Sequence, residues 1–127
     1  MATARRILLL DDSELQLELQ RDVLEKRGHL VRTARDILEF ERILHEFKPE
    51  IVLTDLVMPE VMGTSVVQTL KDNLATEKIP VILVSSRPEA ELAILAEAIG
   101  ADGHLSKSGG VEKLGEMVDA LVSQILW

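Results

Sequence analysis

Three short runs along the chain, residues 7–10, 51–53 and 81–84, are apolar at every position. A strand with one wet face alternates with period two, so unbroken apolar runs of this length suit strands buried on both faces of a parallel sheet. Each run closes on polar side chains, Asp11-Asp12, Asp55 and Ser85. Between them the period lengthens to that of a helix. Residues 13–27 predict a helix with Asp12 or Ser13 as its cap, Leu19, Val23 and Leu24 as its inward stripe, and Gly28 as its left-handed stop. Residues 29–34 alternate and predict an edge strand. Residues 36–47 carry Leu38, Phe40, Ile43, Leu44 and Phe47 at helical spacing before Pro49. The strand at 50–55 leads into a loop at 57–63 broken by Pro59, and Val66, Val67 and Leu70 mark a helix over 64–73. Pro80 opens the strand 80–85, at a first position where a missing donor is tolerated. A helix over Glu89–Ile99, a strand over Gly103–Ser106 and a helix over 111–126 complete the pattern.

Five repeats of strand then helix, with connections of this length, require parallel strands joined by right-handed crossovers. The expected fold is α/β, a doubly wound five-stranded parallel sheet with helices on both faces. At 127 residues the chain is one domain, 1–127, with no internal repeat or linker. Composition then removes whole classes of chemistry. The absence of cysteine excludes disulfides, thiolate catalysis and Cys-ligated metals. A formal net charge of −8 opposes wrapping a phosphate backbone, so direct nucleic-acid binding is not expected. No apolar run approaches the roughly 20 residues that span a bilayer, and residues 1–6 do not read as a secretory signal, so a cytoplasmic protein without membrane contact is expected.

In doubly wound sheets, ligands bind outside the carboxyl ends of the strands. In the order 2-1-3-4-5, strands one, three, four and five are consecutive neighbours, and their ends deliver Asp11, Asp12, Asp55, Ser85 and Lys107 to one rim. Any one strand-end aspartate is more simply a helix cap, Ser85 and Ser86 more simply turn residues before Pro88, and Lys107 one solvated lysine among many. All of them on one rim point to a site. Three carboxylates against one ammonium leave a formal charge of −2, which a divalent cation complements; hard oxygen ligands select Mg²⁺, or Mn²⁺, over zinc. A carboxylate in such a setting can attack phosphorus and form an aspartyl phosphate. His29 and His45 lack ligand spacing and are assigned to the surface or loop edges.

These residues resemble the receiver domain of bacterial two-component response regulators, a flavodoxin-like fold. The resemblance covers essentially the whole chain and rests on Leu9-Leu10-Asp11-Asp12-Ser13, on residues 51–59 with Gly63 beyond, on residues 80–85 and on Gly100-Ala-Asp-Gly-His-Leu-Ser-Lys107. It implies that Asp55 accepts phosphate from a histidine kinase or a histidine phosphotransfer protein. It implies further that Asp12 binds Mg²⁺ directly, Asp11 largely through water, and Val57 through its main-chain carbonyl. Ser85 would follow the phosphoryl oxygens on activation, and Lys107 would pair with the phosphate. Two positions depart from the family pattern: the aromatic switch residue is His104, and the proline after the lysine is Ser108. The Lys107–Ser108 peptide is accordingly expected to be trans, since a cis bond before serine costs ~3–4 kcal/mol.

The loop Asp11-Asp12-Ser13-Glu14 would repel the phosphate of a flavin, no G-x-G-x-x-G follows the first strand, and no residues remain for the cap of an aspartyl-phosphate hydrolase. The expected function is a phosphoacceptor signalling switch, not an enzyme apart from catalysing its own phosphotransfer and dephosphorylation. The alternative is a pseudo-receiver that binds proteins without phosphate. A linker to an output domain after residue 127 remains open. On Glu89–Ile99 the residues Ala90, Ile94 and Ala98 lie opposite the inward stripe of Leu92, Leu95, Ala96 and Ile99. On the last helix, Leu114, Met117, Val118, Leu121 and Ile125 are expected inward and Trp127 outward. This outward face of the last two helices is the expected dock for a downstream protein, an output domain or a second copy.

Overall fold

The computed structural model describes residues 4–55, 63–107 and 110–125, with the main chain alone at 63–65 and 125. Strands and helices alternate: β1 (Arg6–Leu10), α1 (Glu14–Lys26), β2 (Leu30–Ala34), α2 (Ile37–Phe47), β3 (Ile51–Asp55), α3 (Gly63–Lys71), β4 (Val81–Ser85), α4 (Glu89–Ile99), β5 (Gly103–Ser106) and α5 (Val111–Ile125). The five strands are parallel in the order β2-β1-β3-β4-β5. The unbroken apolar runs behave as their composition demands. Ile7 through Leu10 are at most 1% exposed, because helices cover both faces of the sheet.

Period-two alternation divides that burial between two cores. Leu8, Leu10, Val52 and Leu83 face α2, α3 and α4, where Phe40, Leu70 and Leu92 meet them. Ile7, Leu9, Leu53 and Leu105 face α1 and α5, against Leu17, Leu24 and Val118. The helix starts follow local capping chemistry. Ser13, rather than Asp12, caps α1, its Oγ accepting the Gln16 N–H at 3.3 Å, and Asp36 caps α2 by accepting the Glu39 N–H at 2.8 Å. At the far end of the sheet, Glu50 accepts from Arg5 and from the Arg6 N–H. Burial alone would raise its carboxyl, but those hydrogen bonds and the charges of both arginines hold it below the usual value.

Three expectations from sequence change. Leu19 does not belong to the inward stripe of α1, which is Leu17, Gln20 and Leu24; at about 200° from Leu17 around a 3.6-residue turn it faces solvent, 43% exposed. Leu38 in the first turn of α2 is likewise exposed, at 77%. His29 is buried rather than on the surface. Its Nδ1 accepts the Arg5 main-chain N–H at 3.1 Å, so the ring proton lies on Nε2, which donates to Asp119 Oδ1 at 2.7 Å. His45 is exposed, as expected.

Gly115 is buried in the middle of α5, where a glycine costs about 1 kcal/mol relative to alanine. A Cβ there would lie 2.5 Å from Val23 Cγ1 and 2.8 Å from Arg27 Nε, so the missing side chain is what lets α5 close on α1. Gly115→Ala is therefore expected to lower stability by about 1 kcal/mol in urea unfolding despite its better helix propensity, since overpacking against a stiff β-branched neighbour costs roughly 1–3 kcal/mol. Adding Val23→Ala should recover part of the loss. A plain gain in stability from Gly115→Ala would show that the two helices are not in forced contact.

Candidate functional site

The site follows from strand parity. Leu9, Leu53 and Leu105 all point into the core under α1 and α5. Two residues farther along each strand come Asp11, Asp55 and Lys107, so alternation sends all three to the same side of the sheet at its carboxyl rim. There the Lys107 ammonium lies 3.0 Å from Asp11 Oδ2 and 3.5 Å from Asp55 Oδ1. Asp11 is 4% exposed, and its second oxygen accepts the Ser13 main-chain N–H at 3.0 Å. The helix-cap reading of Asp11 thus holds in part, since the same carboxylate shapes the start of α1 and receives the lysine.

Asp12, one residue on, is exposed and completes the acidic group. One carboxylate oxygen from each of Asp11, Asp12 and Asp55 lies within 4.8 Å of the others. Oxygens on opposite sides of a magnesium ion at 2.0–2.1 Å are separated by about 4.2 Å, so small side-chain adjustments bring the three carboxylates to one such ion, and the hard-oxygen set fits it. The carboxylates line a cleft of about 400 Å³ together with Lys107, Ser85, Ser86, Arg87 and Gln16. With three carboxylates and one ammonium at its centre the formal charge is −2, because the Arg87 guanidinium turns aside to Glu91 at 2.7 Å.

Ser85 lines the same cleft from the other side of the sheet. It has the parity of Leu83, which faces α4, and its Oγ accepts the Arg87 main-chain N–H at 3.1 Å. His104 is not brought into the cleft. As the register partner of Leu83 it points toward α4, where Nε2 lies 2.7 Å from Glu89 Oε1. Val57, Ser108 with the Lys107–Ser108 peptide, and Trp127 lie outside the described residues. On α4 the outward residues Ala90, Ile94 and Ala98 are exposed, Ile94 at 72%. Leu114 and Val118 are buried and Met117 and Leu121 partly so, while the side chain of Ile125 is not described.

Gln16 and Arg87 were not foreseen as part of this cleft. Gln16 carried a signal, because a residue three beyond the Ser13 cap stands over the helix entry. Arg87 carried none, since nothing in Ser-Ser-Arg-Pro says which way the chain turns after β4.

Residues 7–119 match the family model of the response regulator receiver domain. Protein PilH of Pseudomonas aeruginosa is 30% identical over 118 residues, covering 93% of this chain and 98% of that protein. Among solved structures, the signal receiver domain of a signal transduction histidine kinase from Syntrophus aciditrophicus is 29% identical with a TM-score of 0.80, covering 96% of this chain and 92% of the other. The Mn²⁺-bound form of the response regulator Rcp1 is 27% identical with a TM-score of 0.72, covering 94% and 92%. The family match begins in β1 and ends inside α5, on a sheet of the order 2-1-3-4-5, and the chain belongs to the response regulator receiver domain family of two-component systems.

Proposed function

We propose that this receiver takes a phosphoryl group from the phosphohistidine of a kinase or phosphotransfer protein onto Asp55 and uses it as a signalling switch. One observation carries the reading: the Lys107 ammonium lies within reach of both Asp11 and Asp55, with the Asp12 carboxylate close by. Asp55 ends the central strand β3, so a donor approaching the rim meets it between the acidic pair and Lys107. An Asp55 oxygen forms the new O–P bond as the P–N bond of the donor breaks, and the electron pair leaves on the imidazole nitrogen. Charge on the equatorial oxygens rises during in-line transfer, and the lysine ammonium is placed to meet it. Asp11, Asp12 and Asp55, with the Val57 carbonyl, would hold Mg²⁺ or Mn²⁺, which offsets the carboxylates and the incoming phosphoryl charge. The Mn²⁺-bound form of Rcp1 supports that ligand class. Ser85 is the hydroxyl placed to turn to a phosphoryl oxygen, and hydrolysis of the acyl phosphate by water resets the switch.

The donor must land beside the rim, and Leu15 and Leu19 offer it exposed apolar contacts on α1, which starts there. The signal leaves through α4, where Ile94 with Ala90 and Ala98 forms the dock for a downstream protein or a second copy.

Asp55→Asn should abolish labelling by acetyl phosphate in intact-mass measurements, because an amide is not a nucleophile toward phosphorus. Stoichiometric labelling of that variant would overturn the assignment, and an unlabelled wild type would favour a module acting through contacts alone. Asp12→Ala should keep the nucleophile but weaken Mg²⁺ binding at least tenfold by isothermal titration, since it removes a ligand and a charge together. Unchanged affinity would contradict the role of Asp12. Sedimentation with beryllofluoride should show a shift toward larger species, alone or with the partner, that Ile94→Lys removes. Identical profiles for the two proteins would leave that face idle.

A further inference from the structure

The segment joining β4 to α4 is fastened at three points, and all three side chains stand on the α4 side of the sheet. Ser85 Oγ accepts the Arg87 N–H at 3.1 Å, Ser106 Oγ donates to the Arg87 carbonyl at 2.9 Å, and His104 Nε2 meets Glu89 Oε1 at 2.7 Å. Ser106 is the register partner of Ser85, and His104 that of Leu83, so β5 clasps the segment from one edge. The first fastening engages the hydroxyl that would have to turn toward a phosphoryl group. The third joins an imidazole to a carboxylate, and imidazole is the side chain whose charge changes between about pH 5 and 8.

We propose that the Glu89–His104 pair is a positioning device that holds Ser85 on Arg87 and lets pH set how readily this receiver is switched. The proposal rests on phosphorylation at Asp55 and adds a second input to it. When His104 is protonated, the pair carries full opposite charges and the start of α4 stays against β5. Ser85 then keeps its bond to Arg87, and modification of Asp55 works against the clasp. When His104 is neutral, a single hydrogen bond remains and the segment is released more easily.

Among the described residues, Glu89 is the charge paired with the ring. Arg87 is engaged with Glu91 at 2.7 Å, and Lys107 on the same strand is turned to Asp11 and Asp55. β4 presents Leu83, while α5 packs on the opposite face of β5 through Leu105. Glu89 is 55% exposed at its side chain and His104 28%, so protons and buffer reach the pair without unfolding.

Two measurements on the full chain test this. Hydrogen exchange of the non-proline amides at 86–92, without phosphodonor, should show more protection in the wild type at pH 5.5 than at pH 8.5. It is read against Glu89→Gln at each pH, which cancels the intrinsic exchange rate. Labelling by acetyl phosphate with Mg²⁺, followed by intact mass, should be up to about fivefold faster in Glu89→Gln than in wild type at the acid end, with the two converging at the alkaline end. His104→Phe should follow Glu89→Gln, whereas His104→Lys, charged throughout, should stay slow across the range. Equal pH profiles for wild type and Glu89→Gln in both measurements would overturn the proposal. A pH-dependent clasp with an unchanged labelling ratio would overturn the positioning role and leave a purely structural pair. No labelling of any variant, with the exchange effect intact, would instead count against Asp55 phosphorylation and remove the basis for coupling.

Discussion

The Lys107 ammonium, held against Asp11 at 3.0 Å and Asp55 at 3.5 Å, is the interaction that makes an acidic rim compatible with a folded sheet. Carboxylates from adjacent strands repel one another, and Asp11 is too buried for water to screen that repulsion. The two carboxylates are tolerated because a cation stands between them. The arrangement is also incomplete as a charge balance, since one ammonium leaves an excess of negative charge in the cleft. That excess suits a divalent ion, and under the proposed function such an ion would make a carboxylate a usable acceptor for an anionic phosphoryl group.

The same constraint explains why the strands are so uniformly apolar. A rim that assembles side chains from β1, β3, β4 and β5 needs strand ends held in register to a fraction of an ångström, and two-sided burial supplies that rigidity. Leu9, Leu53 and Leu105 act on the site without touching a ligand, by setting the parity from which Asp11, Asp55 and Lys107 emerge. A one-residue slip in any of these strands would send the charged residue to the other face.

Much of this was legible in the sequence because it depends on local rules. Continuous apolar runs mark doubly buried strands, so their last polar residues mark the rim. What depends on pairing across the chain was not legible. His29 reads as a surface residue because its partners are the main chain of Arg5 and the carboxylate of Asp119, 90 residues away. The inward stripe of α1 differs from the sequence pattern because Leu15, Leu17, Leu19, Val23 and Leu24 supply more apolar positions than one face can bury, and the positions of the sheet and of α5 decide which turn inward. The His104 contact is of the same kind. The sequence places it on β5 but says nothing of Glu89 across from it.

The two faces of the sheet therefore do different work. Asp11, Asp55 and Lys107 belong to the α1 and α5 side, while Ser85, His104 and Ser106 belong to the α4 side. A chemical event at Asp55 can reach the exposed apolar face of α4 only by crossing from one side to the other. Ser85 is the residue that spans the two sides, since it borders the cleft yet is bonded to the segment that starts α4. Parity gives the route a direction. Under the proposed function, a Ser85 hydroxyl that left the Arg87 N–H for a phosphoryl oxygen would release one fastening of the clasp as Asp55 gained its charge. The remaining fastenings, Ser106 on Arg87 and His104 on Glu89, would then limit how far α4 follows.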